Sequence, residues 1–223
     1  MAGGRLIPGS QYGEDAVIVR LFGERQGGCA LDIGAADGLH HSNVHRLITD
    51  YAWCALLVEP HPVLVGEARK RYAGNDRVHV VHSAIRAVPG DCILHLYEPS
   101  YYGQVSTTVE EFKQQVIEQH GDQFTKDVTV SCDTTRAIIE RFMLTKIDFV
   151  NVDCEGSEID ALHTFPFDSQ RPELFCIEMA MHVEQIDGIM RDQEYVQLKG
   201  LARYKNAFYV PMDQEDDCYK RLA

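Results

Sequence analysis

Short apolar runs with the length of buried strands alternate with stretches of helical periodicity along most of the chain. Three such runs lie at positions 29–33, 54–58 and 78–82, and each ends in a turn or in residues that start a helix. This alternation favours an α/β fold built on a largely parallel sheet. With 223 residues, the chain has the length of one compact domain, which we expect to span 1–223.

The second half of the chain continues the alternation of strands and helices and then ends in two consecutive strands. The run at 147–152 is the clearest buried strand, and a further strand is predicted at 174–177. Two short strands at 195–198 and 206–210 follow one another closely, which predicts a hairpin that closes the sheet. Between the strands, Ser157 and Asp160 have the spacing of a capping box at a helix start.

Two segments depart from the alternation. Residues 92–133 combine strand-like, loop-like and helical stretches, and we interpret them as an insertion that forms a lid on the substrate side. Within it, residues 99–108 are rich in Tyr, Gly, Ser and Thr. The last residues, 212–223, are predicted to form a short acidic tail.

Composition and charge exclude several classes of protein. The hydrophobic fraction of 45% predicts a sizeable core, not a disordered chain. The net charge of −13 argues against a broad nucleic-acid-binding surface, which needs clustered Lys and Arg. No apolar stretch approaches the roughly 20 residues of a membrane span or resembles a signal peptide. Seven scattered cysteines are expected to be reduced, which favours a cytoplasmic location.

The strongest functional signal is the turn that follows the first strand, in which Asp32 precedes Gly34 and Gly38. Small residues let the chain turn sharply and let backbone N–H groups approach a ligand. The dinucleotide pattern Gly-x-Gly-x-x-Gly is absent, and an acidic residue before the first glycine suits an ammonium group better than a pyrophosphate.

Two further signals occur at the next strand ends. Glu59 follows Gly34 by 25 residues and ends the second strand, where a carboxylate can accept both hydroxyls of a ribose. Ser83 and Ala84 end the third strand, where an adenine would lie. Consecutive strand ends that line one crevice form the nucleoside sites of open α/β sheets, so the set predicts a nucleoside-containing ligand.

These motifs resemble a known family. Asp32-x-Gly34-x-x-x-Gly38 and Leu57-Val58-Glu59-Pro60 are similar to motifs I and II of class I S-adenosylmethionine-dependent methyltransferases. Ser10-Gln11-Tyr12-Gly13-Glu14-Asp15, Asp37-Gly38 with Ser42-Asn43, and Asp153-x-Glu155-Gly156-x-Glu158 resemble the FkbM-type branch, with Asn151 where Lys is more usual. The likeness covers about residues 10–211. It implies a Rossmann-like domain with a mostly parallel seven-stranded sheet, an antiparallel C-terminal hairpin and helices on both faces.

The resemblance also implies a role for each motif residue toward S-adenosylmethionine. Asp32, Gly34, Ala35, Ala36 and Asp37 would surround its methionine part, and Gln11 and Asn43 would help to hold its carboxylate. Glu59 would bind the ribose, Pro60 and His61 would flank the adenine, and Ser83 and Ala84 would meet its edge. Asp153 would lie below the sulfonium and face the acceptor.

Four residues at two adjacent strand ends are candidates for the chemistry: Asp153, Glu155, Glu178 and His182. Methyl transfer requires the acceptor to be positioned and its proton to be removed, and His182 is a natural general base near neutral pH. The oxygen ligands of the same group suit Mg²⁺ as an alternative, although no sequence spacing defines a metal site. His41 and His45 lack a third metal ligand.

The expected function is therefore S-adenosylmethionine-dependent O-methylation of a small molecule, a sugar or a glycan. N-methylation, methylation of a nucleic-acid end, and a binding module without catalysis remain alternatives. The expected partner is a small-molecule or glycan acceptor, with no membrane and no broad nucleic-acid contact. Whether the chain forms a homo-oligomer stays open.

Overall fold

The computed structural model describes residues 9–97, 103–201 and 205–222. Within them the strands, in chain order, are β1 (Cys29–Ile33), β2 (Cys54–Glu59), β3 (Val78–His82), β4 (Ala84–Ile85), β5 (Gly90–Tyr97), β6 (Phe124–Asp133), β7 (Phe149–Val152), β8 (Leu174–Glu178), β9 (Tyr195–Gln197) and β10 (Asn206–Pro211). The α-helices are α1 (Glu14–Leu21), α2 (His45–Asp50), α3 (Pro62–Arg71), α4 (Glu110–His120), α5 (Thr135–Arg141), α6 (Glu158–His163), α7 (Val183–Asp192) and α8 (Glu215–Leu222).

Seven strands form the main sheet in the order β3-β2-β1-β7-β8-β10-β9. The first five of these are parallel, whereas β10 runs antiparallel to both β8 and β9. This confirms the predicted fold class, a mostly parallel sheet with an antiparallel C-terminal hairpin. After β1 the chain adds β2 and β3 on one side and β7 and β8 on the other. The crevice between β1 and β7 is therefore a topological switch point, where α/β sheets bind ligands.

Both faces of the sheet are covered, as predicted. Successive side chains of a strand point to opposite faces, so Ala30 and Phe149 belong to one core cluster while Leu31 and Val150 belong to the other. Helices α1, α2 and α8 contribute residues to the first cluster, and α5, α6 and α7 to the second. The strands that carry the site are thus buried on both sides, which gives their carboxyl ends a rigid support.

The predicted insertion at 92–133 contains β5, a short 3₁₀ helix (Gly103–Val105), α4 and β6. Its two strands pair antiparallel and, with β4, make a second three-stranded sheet. Residues 98–102, which include Tyr101 and Tyr102 of the stretch rich in Tyr, Gly, Ser and Thr, lie outside the described residues. The role of this segment as a lid stays a prediction.

The acidic tail has a regular structure, and one local expectation is wrong. The acidic tail is helical over α8, because Cys218 and Leu222 lie one turn apart and pack on the core cluster that contains α1. The capping box does not form, since the Ser157 side chain makes no capping hydrogen bond. Instead the Glu158 carboxylate accepts hydrogen bonds from the backbone N–H groups of Cys154 and Gly156 at 3.0 to 3.2 Å.

Among the described residues, no helix combines the length and the apolar character that a bilayer span requires.

Candidate active site

The ends of β1 and β7 approach each other closely at Gly34. Its φ of 86° lies in the left-handed region, and a Cβ built on it would lie 1.6 Å from the carbonyl oxygen of Asp153. Only glycine fits a position that is both left-handed and in contact with another backbone. Gly34 therefore brings the motif I turn against the start of the β7 loop.

Glu59 holds the motif I turn from the next strand. Its Oε2 accepts a hydrogen bond from the backbone N–H of Ala36 at 2.8 Å, and its Oε1 accepts one from His61 at 2.7 Å. Gly34 and Ala35 donate to the carbonyl oxygen of Val58. A carboxylate has about four acceptor sites, so two of those on Glu59 remain for ligand hydroxyls.

Burial raises the pKa of both carboxyl groups that line the turn. For Glu59 it raises the pKa to about 7, against the opposing effect of the two backbone N–H donors. For Asp32 it also raises the pKa to about 7, although a hydrogen bond from Asn151 favours the ionised form. A cation or a set of hydroxyl donors at this position would restore the interactions that these carboxylates lose on burial.

Asp32 is oriented by a chain of buried amides. Asn151 donates from Nδ2 to Asp32 Oδ1 at 2.8 Å, and Asn43 donates from its own Nδ2 to Asn151 Oδ1 at 2.9 Å. The pairing follows from the register of the sheet, in which Asp32 lies beside Asn151. Asn43 therefore lies behind Asp32, and Asn43 Oδ1 has no hydrogen-bond partner within the described part of the chain.

Two other predicted cofactor residues have structural contacts of their own, and a third is exposed. Asp37 accepts hydrogen bonds from the N–H groups of Leu39 and His40 and pairs with Arg71, so its carboxylate organises the loop. His61 is the N-cap of α3, and its Nδ1 accepts from the first N–H groups of that helix. Gln11 is exposed in the bend before α1. Their contacts with a cofactor stay predictions.

A cleft opens at the ends of the first three strands. Its lining includes Gly34, Pro60, Ser83 and Ala84, the residues assigned by resemblance to the turn and the adenine. The lining also includes Leu94, Ser106 and Thr108 from the second sheet and its connection. The strand ends named from the sequence thus meet around one space that has both polar and apolar walls.

Three predicted catalytic residues also converge. Asp153 and Glu155 follow β7, Glu178 ends β8, and one carboxylate oxygen of each lies within 4.8 Å of the others. Burial, reinforced by the charge of Glu158, raises the pKa of Asp153 to about 6. Burial and the charge of Asp153 also raise the pKa values of Glu155 and Glu178 above the usual range.

His182 is placed differently. It is the N-cap of α7 with a left-handed φ of 53°, and its Nε2 lies 3.9 Å from the carboxylate of Glu111 on α4. It is not one of the three clustered residues. The structure therefore links His182 to the insertion and leaves its assignment as the general base a prediction.

Sequence reasoning missed two residues that shape the site. Asn151 orients Asp32 through a hydrogen bond. It could have been recognised as a polar residue inside the apolar run of β7. Thr107 is buried and donates from Oγ1 to the carbonyl oxygen of Glu155 at 2.6 Å, so it fastens the insertion to the acidic loop. No local pattern distinguishes Thr107 from the other hydroxyl residues of its loop.

Comparison with known proteins gives one family match. The model of the FkbM methyltransferase domain matches residues 32–197, well over half of the chain. No curated protein matches the sequence significantly.

Solved structures of low identity resemble the chain. M. capricolum TrmK in complex with S-adenosyl-homocysteine is 6% identical with a TM-score of 0.48, over 87% of this chain and 66% of that one. A human methyltransferase 10 domain containing protein is 14% identical with a TM-score of 0.46, over 92% and 84%. Haemonchus contortus phosphoethanolamine N-methyltransferase 2 is 12% identical with a TM-score of 0.42, over 82% of this chain and only 36% of that one.

Proposed function

The chain belongs to the FkbM methyltransferase domain family, and from this premise we propose that it methylates a hydroxyl oxygen with S-adenosylmethionine as donor. The acceptor we propose is a small molecule, a sugar or a glycan. The observation that carries the proposal is that Gly34, Ser83 and Ala84 line one cleft at the ends of the first three strands, with the buried carboxylates of Asp32 and Glu59 on two of these strands. Three further carboxyl groups cluster at the ends of β7 and β8.

The residues of the crevice fit the three parts of this cofactor. Asp32 is a buried carboxylate suited to the ammonium of the methionine part. Glu59 has free acceptor positions for the ribose hydroxyls, and Ser83 and Ala84 line the cleft where the adenine would lie. When bound, S-adenosylmethionine supplies an electrophilic methyl carbon on a positively charged sulfur.

The acidic cluster fits the acceptor side. An acceptor hydroxyl must lose its proton as its oxygen forms a bond to carbon, and a carboxylate with a raised pKa is a better base near neutral pH than an ordinary one. Asp153 and Glu178 have raised pKa values for the physical reason given above, which is burial among like charges. We assign them the roles of orienting the hydroxyl and accepting its proton.

The experiment is a transfer assay with S-adenosylmethionine carrying a labelled methyl group and a panel of acceptors. The panel contains sugars, glycan fragments, phenols, primary amines and capped oligonucleotides. We expect label in hydroxylated acceptors, and at least a hundredfold less in the Glu178→Gln variant, the lower end of general-base effects. Glu67→Gln, an exposed change on α3, is the matched control with unchanged transfer.

Other outcomes contradict specific parts of the proposal. Label in amines alone would replace O-methylation by N-methylation, and label in oligonucleotides alone would indicate a nucleic-acid end. Cofactor binding without transfer to any acceptor would support a binding module.

A further inference from the structure

The acidic cluster at the ends of β7 and β8 has the dimensions of a cation site. Asp153, Glu155 and Glu178 each place one oxygen within 4.8 Å of the other two. A magnesium ion bound at about 2.1 Å holds its ligand oxygens roughly 3 Å apart when adjacent and 4 Å apart when opposite. Small side-chain rotations therefore suffice to bring the three oxygens onto one ion.

A separate observation points to a missing partner inside the cluster. Glu178 is 7% exposed, and its Oε2 is buried with no hydrogen-bond partner among the residues that the structure describes. A buried carboxylate oxygen without a donor is costly, and native proteins provide such atoms with a partner. The unsatisfied oxygen belongs to one of the three carboxylates that form the cluster.

The charge balance also favours a bound cation. The carboxyl groups of Asp153, Glu155, Glu158 and Glu178 interact with one another, and Lys205 is a cation that acts on Asp153, Glu155 and Glu178. Its Nζ lies 3.9 Å from Glu178 Oε1, at the limit of an ion pair. Within the described residues, this one ammonium group does not balance four carboxyl groups, and protons or a metal ion can supply the rest.

We propose that Asp153, Glu155 and Glu178 bind one divalent cation of the Mg²⁺ or Mn²⁺ type. Oxygen ligands from carboxylates are those that these hard cations prefer. Three protein ligands leave coordination positions for water and for an acceptor. An acceptor with two neighbouring oxygens would fill two of these positions.

The part of this inference that concerns the acceptor rests on the proposed function. A hydroxyl bound to a divalent cation loses its proton more readily. The proton passes to water, the oxygen forms a bond to the methyl carbon, and the bond from that carbon to sulfur breaks with its electrons on the sulfur. In this arrangement water replaces the carboxylates as the proton acceptor, the carboxylates orient the acceptor hydroxyl as metal ligands, and His182 is not needed as a base.

The competing explanation is a proton shared by two carboxyl groups. Asp153 and Glu178 are close enough to hydrogen-bond when one of them is protonated. A shared proton satisfies that pair without any metal, so a binding experiment distinguishes the two.

The test measures Mn²⁺ binding by electron paramagnetic resonance at pH 8 in buffer free of chelators. We expect one saturable Mn²⁺ per wild-type chain and competition by Mg²⁺. Glu178→Gln should weaken Mn²⁺ binding at least tenfold, since even outer-shell changes at metal sites cost 10–100-fold. Glu155→Gln, which alters a less buried ligand, should do the same if Glu178→Gln fails to fold. Glu67→Gln should bind within twofold of the wild type.

The absence of saturable Mn²⁺ binding in the wild-type protein would overturn the proposal, as would unchanged binding in both cluster variants. S-adenosylhomocysteine binding is measured on the same samples by calorimetry. Cofactor binding without Mn²⁺ binding removes the metal site and leaves the proposed function standing. Mn²⁺ binding without cofactor binding leaves the metal site and contradicts the proposed function.

Discussion

The substitution Gly34→Ala should damage both the fold and the cofactor site, because one added carbon has no room. The new Cβ would lie 1.6 Å from the carbonyl oxygen of Asp153, roughly 2 Å inside ordinary contact. The left-handed φ of 86° adds a cost of about 1–2 kcal/mol for a residue with a side chain. Overpacking a well-packed interior costs about 1–3 kcal/mol. We therefore expect a loss of about 2–5 kcal/mol from the free energy of unfolding.

The matched control is Gly188→Ala in the middle of α7. A Cβ at Gly188 meets no atom within 4 Å, and its backbone is helical. Alanine there should raise the free energy of unfolding by up to about 1 kcal/mol. Urea denaturation of both variants measures the difference, and calorimetry with S-adenosylhomocysteine measures the site. A loss below about 1 kcal/mol for Gly34→Ala would refute the close approach of the β1 and β7 ends.

Three further results are expected. Thr107→Val keeps the shape of a buried side chain but removes its hydrogen bond to the carbonyl oxygen of Glu155. It should lower the free energy of unfolding by about 1–3 kcal/mol in urea melts. An unchanged free energy of unfolding would contradict a role of this hydrogen bond in holding the insertion. Cofactor affinity should rise as the pH increases from 6 to 8, because Asp32 and Glu59 both have pKa values of about 7 in the free protein and bind in the ionised form. A flat profile in calorimetry over that range would contradict these roles. His182→Ala should leave the transfer rate within about twofold, since the proposed function gives the acceptor chemistry to the carboxylate cluster, to which His182 does not belong. A hundredfold loss in single-turnover assays would assign the role of base to His182 instead.

Much of the main sheet could be predicted because its strands are short apolar runs with clear ends. The bounds of β1 and β3 agree with the sequence prediction, and β7 and β8 differ from it by a few residues at most. The second sheet could not be predicted in the same way. The first half of β5 and most of β6 are exposed or half-buried, and β4 has only two residues, so their pairing depends on contacts distant in sequence.

The candidate site also has a part that could be predicted from the sequence and a part that could not. The positions of Asp32, Glu59, Asp153 and Glu178 follow from strand ends, and parallel strands bring such ends to one edge. Hydrogen-bond partners inside loops do not follow from spacing. The Asp37 carboxylate accepts hydrogen bonds from the N–H groups of Leu39 and His40 because of the shape of the local turn. The sequence pattern does not specify that turn.

The central claim is that the crevice binds S-adenosylmethionine through the Glu59 carboxylate. Titration calorimetry with S-adenosylhomocysteine tests it on the wild type, Glu59→Gln and the exposed control Glu67→Gln. Hydrogen bonds to a charged group contribute about 1.5–3 kcal/mol, so Glu59→Gln should weaken binding about tenfold or more while the control stays unchanged. A thermal melt checks that the variant is folded, since Glu59 also holds the N–H groups of Ala36 and His61. Equal affinity in a folded Glu59→Gln variant, or no binding by the wild type, would contradict the account.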